Sequence, residues 1–172
     1  MKRIYILSVA LLTVLCMHGQ AHFSGSIRPV KLAGRLNVVF DFSEADIHGM
    51  TVEEFAEYEK DWKSDQAQIY SDMIEEFQKK VRAWISVGHI KHAEHTMIIT
   101  VSSVSVRGDI NCDANIVDTN NNHIASISNI YATGGKVGSA LNLIKDGAET
   151  VGEILGAVMR KELLKVPKEK RK

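Results

Sequence analysis

The spacing of apolar residues changes period along this chain, and that change constrains the fold more than any motif. Leu36, Val38, Phe40 and Phe42 alternate with Asn37, Val39 and Asp41, a period of two that predicts a strand with one apolar face. Phe55, Tyr58, Trp62, Ile69, Met73, Phe77, Val81 and Trp84 then recur at three- and four-residue steps, which predicts a helix with a core-facing stripe. From Thr96 the period returns to two. Met97, Ile99 and Val101 face one way, Val104 and Val106 follow out of phase, and the slip at Ser102-Ser103 predicts a β-bulge. Two further strands follow, Ile110 to Ile116 and Ile124 to Tyr131. Leu141, Ile144, Ala148, Val151, Leu155 and Val158 form the apolar side of a last helix ending near Lys165. The expected fold is α+β: strand, helix, three strands, helix, with a mainly antiparallel sheet and two long helices packed on one face.

Local chemistry supports these elements. Thr51-Val52-Glu53-Glu54 is a capping box, and Met50 and Phe55 are spaced as a hydrophobic staple. A helix from Thr51 to about Ile85 would be about 50 Å long, so a break near Lys63-Ser64-Asp65 is expected, with Ser64 or Asp65 as a second cap. Asp118-Thr119-Asn120-Asn121-Asn122 predicts a hairpin loop, because Asn and Asp accept left-handed backbone and bond their own amides. Ala148, Gly152 and Gly156 leave one strip of the last helix nearly bare. Close packing on the sheet is the expected use, and a dimer seam through these three residues is the alternative.

The start of the chain bears on its destination. Met1-Lys2-Arg3, the apolar run Ile4 to Cys16 and the small residues Gly19 and Ala21 form the three parts of a secretory signal peptide. The run is too short to span a bilayer, which needs about 20 residues. Cleavage after Ala21 is expected. Lipidation of Cys16, as in an outer-membrane lipoprotein, is the alternative, and the bulky Val14 and Leu15 oppose it. The expected organisation is a signal peptide at 1–21, a linker at 22–31 rich in Ser and Gly, one α+β domain at 32–165 and a basic tail at 166–172. The expected location is periplasmic or secreted. Cleavage leaves Cys112 alone, best read as a small buried side chain on a strand.

With 21 Lys and Arg against 21 Asp and Glu, the formal net charge is zero. There is no bulk field to draw nucleic acid or an anionic membrane; membrane contact, if made, would be peripheral, through the last helix and the basic tail.

The candidate chemical groups are few. His89, His92, Glu94 and His95 are metal-ligating residue types, and at three-residue steps the histidines would share a face if the segment were helical. On a strand they would not, and the HExxH spacing is absent; a metal-binding protein or metal-dependent enzyme using the His89–His95 segment is therefore the alternative function. The Asp118 loop opens like a calcium loop but has His123 where Gly is needed and Asn129 where Glu is needed. Gly134-Gly135-Lys136 lacks the Ser or Thr of a phosphate loop, with Val137 in its place. No Gly-x-Ser-x-Gly elbow exposes a nucleophile. Glu53, Glu54, Glu57 and Asp61 are explained by the helix dipole and solvation. No catalytic residue and no cofactor is expected.

Three features carry a family resemblance: Asn37-Val38-Val39-Phe40-Asp41-Phe42, the strand end Ile116-Val117-Asp118-Thr119 with its Asn loop, and the passage from Gly134-Gly135 into the last helix. With the element order, they make the chain resemble the TolB amino-terminal domain, the related domain of the curli-secretion lipoprotein and uncharacterised periplasmic families. The resemblance implies a non-catalytic component of the bacterial envelope that binds another envelope protein or assembles with itself.

Overall fold

The structure is a computed structural model that describes residues 21–167. The expected leader up to residue 20, Cys16 within it, and the tail beyond Pro167 lie outside the described residues. In chain order the elements are β1 (His22–Gly25), α1 (Arg28–Ala33), β2 (Arg35–Asp41), β3 (Asp46–Ile47), α2 (Val52–Tyr58), α3 (Trp62–Val81), β4 (Ser86–Gly88), β5 (His95–Val104), β6 (Ile110–Asp118), β7 (His123–Ala132) and α4 (Ala140–Lys165).

The class is α+β: a mixed seven-stranded sheet with helices packed on it. The sheet order is β1-β7-β6-β5-β2-β4, and β3 pairs with β5 off that path. Neighbours among β1, β7, β6 and β5 are antiparallel. β2 runs parallel to both β4 and β5, and β3 runs parallel to β5. The parallel half follows from the chain path. After β2 the chain crosses over through α2 and α3, and such a crossover returns it to the end where β2 began. Three short strands join the four read from periodicity, because strands of two to four residues are too brief to show a period.

Residues 22–31, expected as a linker, instead form β1 and the start of α1. Ile27 and Val30 are buried and Phe23 packs against the core. Gly25 ends β1 at φ +92°, where any Cβ would collide with the Ile124 carbonyl of β7. The Ser- and Gly-rich composition therefore serves a tight exit from a sheet edge, not a loose connection.

The capping box forms as expected: the Glu54 amide donates to Thr51 Oγ1 at 3.2 Å and the Thr51 amide to Glu54 Oε2 at 2.9 Å. The helix break falls between Tyr58 and Trp62, earlier than the Lys63–Asp65 site, and α3 ends at Val81. Tyr58 leaves the expected stripe and is 71% exposed. The bend lets Trp62 meet Phe42 and Phe55 edge to face, with ring centroids 5.4 and 5.2 Å apart. Ile69, Met73, Phe77 and Val81 continue the buried stripe along α3.

α4 lies against α3 as well as the sheet. A Cβ on Gly152 would overlap the Met73 carbonyl, and one on Gly156 would lie 2.6 Å from Lys80 Cγ. Ala148, Gly152 and Gly156 are all buried within the protomer. The bare strip is thus neither a dimer seam nor chiefly a sheet contact. It is where α3 and α4 approach closely.

Candidate interaction surface

The structure does not bring the four metal-ligand candidates together. His89 follows β4 and is exposed; His92 sits at φ +60° and is exposed, as is Glu94. The segment is a turn, so the helical spacing that would align the histidines does not arise. His95 opens β5 opposite Asp118 and is 7% exposed, with no hydrogen-bond partner for Nδ1 among the described residues. Among those residues no group of three or more His, Cys, Asp or Glu is placed to hold a metal ion.

The remaining motifs have structural uses. Asp118 Oδ1 accepts from the Asn120 and Asn122 amides, each at 2.8 Å, and Oδ2 from Asn122 Nδ2 at 2.9 Å. The Asn122 side chain and these amides hold the carboxyl below its ordinary range. This is the self-bonded hairpin loop of the sequence reading. The Gly134 amide donates to Asp109 Oδ1 at 2.9 Å, and its α-carbon lies so close to the Arg107 carbonyl that no Cβ fits. The glycines there serve loop packing.

Cys112 lies on β6 and is 4% exposed. Burial, with help from the Asp113 charge, pushes its thiol up to about 12. Thiolate is the reactive form, so native protein of the exported chain should resist a thiol reagent at pH 8 and react fully once unfolded in urea. Fast native labelling would show that the thiol reaches solvent.

Among the described residues, helices pack on one face of the sheet and none covers the other. Register defines its rows. Ser24, Ser126, Asn115, Ile98 and Val39 line up across β1, β7, β6, β5 and β2. On one side lie Asp41, Thr100 and Asp113, and on the other Asn37, Thr96 and Val117. Val39 is 41% exposed, and Ile98 and Val117 are half-buried. Val39, Ile98 and Val117 thus form an apolar patch toward the β2 side of the face, and Ser, Thr, Asn and Asp occupy the positions beside it. Ser24 and Ser126 share a 2.8 Å hydrogen bond, and Asn37 Nδ2 donates to Thr96 Oγ1 at 3.3 Å.

Three register shifts shape this face. β5 slips between Val101 and Ser103, as expected, and β6 and β7 slip between Cys112 and Ala114 and again between Ile116 and Val117. At the second, Asn129 takes φ +59° and its amide donates to Asp113 Oδ1 at 2.8 Å. Two open grooves of about 380 and 410 Å³ flank the first two shifts and share Asn111 and Tyr131. Alternation in β2 already placed Asn37, Val39 and Asp41 on the second face. Nothing in the sequence showed that no layer of the described residues covers it.

No family model matches the chain, and no curated protein matches it. Among solved structures, the chain is similar to the PelC dodecamer from Paraburkholderia phytofirmans. A substituted form aligns at 13% identity and a TM-score of 0.44, covering 79% of this chain and 95% of that one. A second structure of the dodecamer aligns at 13% identity and a TM-score of 0.42, covering 80% and 98%.

Proposed function

We propose that the chain is exported and works as a non-catalytic protein of the bacterial envelope, binding a protein partner through the open face of its sheet. The observation that carries this reading is the arrangement of that face. Val39, Ile98 and Val117 form an apolar patch on the β2–β5–β6 part of the face, bordered by short polar side chains. An exposed apolar patch bordered by polar groups fits a protein interface. The edge strand β4 is less available, since Gln78 of α3 accepts from the Val87 amide at 2.8 Å and donates to the Ile85 carbonyl at 3.1 Å. The layout of the leader supports export, and the resemblance to envelope domains of the TolB type supports a binding role.

The test is a photo-crosslinker at position 39 in intact cells, with position 60 as an exposed control. A discrete adduct from position 39, weakened about tenfold or more by Ile98→Asp, is expected for a buried interface centre. An adduct of twice the chain's own mass would identify a second copy as the partner. Equal labelling from both positions, or a cytosolic pool that keeps its leader, would overturn the reading.

A further inference from the structure

We propose that the end of the molecule formed by α1 and the last turns of α4 is a docking surface for an anionic lipid bilayer. The formal net charge is zero, but the charges are segregated. Residues 22 to 40 include Arg28, Lys31 and Arg35 and no acid, and from Arg160 to Lys172 seven Lys or Arg stand against two Glu.

The fold brings α1 and the last described turn of α4 together. Lys31 Nζ donates to the Leu163 carbonyl at 2.8 Å and to the Val166 carbonyl at 2.6 Å, binding α1 to the end of α4. Beside this joint stand two leucines in water, Leu32 at 57% exposure and Leu164 at 61%. Leu164 lies three and four residues after Lys161 and Arg160, so the three share one helix face. Both cations are exposed. Beyond the joint the sequence continues Lys168, Lys170, Arg171 and Lys172.

Exposed leucines set among cations fit a bilayer surface. The cations meet anionic headgroups while the leucines enter the acyl boundary. A soluble polyanion would use the cations and leave the leucines in water. No helix among the described residues is long and apolar enough to cross a membrane, and the proposed contact is with the bilayer surface. It is separate from the open sheet face, so either reading can fail without the other.

The experiment is co-sedimentation of the exported chain, residues 22–172, with vesicles of phosphatidylcholine alone or with about 30% phosphatidylglycerol, in low and high salt. Binding to the anionic vesicles should be about tenfold tighter or more, and should weaken with salt. Leu32→Ser with Leu164→Ser should weaken it about fivefold, as should Arg160→Gln with Lys161→Gln. Circular dichroism and melting should be unchanged in both variants. Equal binding to the two vesicle types would overturn the proposal. So would capture on heparin beads as tight as on vesicles and indifferent to the leucine changes, which would mark a generic polyanion site.

Discussion

Trp62→Ala should lower the stability of the folded chain by about 4 kcal/mol, the scale of truncating a fully buried large aromatic. For a body of this size that is a fall of about 10 °C or more in Tm. Trp62 is 1% exposed, and it joins the start of α3 to Phe55 of α2 and to Phe42, just after β2. Its ring stands edge-on to both Phe42 and Phe55, so truncation removes both ring contacts and leaves a cavity between them. Trp62 Nε1 is also buried and has no hydrogen-bond partner among the described residues. Trp62→Phe keeps an aromatic ring at the junction and deletes that unpaired donor, which itself costs about 1–3 kcal/mol. The Phe variant should therefore fall within about 1 kcal/mol of the parent. Urea unfolding of both variants checks the pair, and equal losses would show that ring packing is not what Trp62 contributes.

Gly152→Val should cost about 3 kcal/mol, the upper range for overpacking. On helix propensity alone, replacing Gly by most residues in mid-helix should stabilise by a few tenths to about 1 kcal/mol. The opposite sign follows from the Met73 carbonyl, which occupies the space a Cβ would need. A backbone atom in the middle of α3 cannot swing aside as a side-chain end can, so the two helices must separate. Glu153→Val, on the exposed neighbour, provides the comparison and should change stability by about 0.5 kcal/mol. If the two valines had the same effect in thermal melts, the close approach of α3 and α4 at Gly152 would be wrong.

These two sites also mark how far the sequence could be read. The capping box at Thr51, the slip at Ser102-Ser103 and the loop closed by Asp118 are set by neighbours within a few residues. Each occurs where the sequence predicts it. The strip Ala148, Gly152 and Gly156 was equally visible, but its partner was not. Small residues at helical spacing say that something comes close, and α3, a sheet or a second copy would satisfy them alike. The break before Trp62 was misplaced because the candidate caps Ser64 and Asp65 are local signals. The actual break follows from the tertiary contact of Trp62 with Phe42 and Phe55. β1 was hidden for a related reason. Four residues with a Ser and a Gly have little preference of their own, and β7 supplies the partner for each.

The candidate sites divide in the same way. The histidines of 89–95 looked like a set only if the segment were helical, and His92 at φ +60° shows a turn instead. Cys112 was read correctly as buried because alternation along β6 is a local pattern. The open face and the basic end were not readable as surfaces. Val39, Ile98 and Val117 belong to three different strands, and Leu32 and Leu164 lie more than a hundred residues apart in the chain.

By itself, the amino-acid order determined the α+β class, the two helical stripes, the β5–β7 meander and the turns that join it, since each depends on contacts within a few residues. Only the tertiary structure decided the parallel insertion of β2, the packing of α4 on α3, and which side chains remain in water. Those outcomes depend on pairs far apart in the chain, whose contact energies exist only once the whole core has closed.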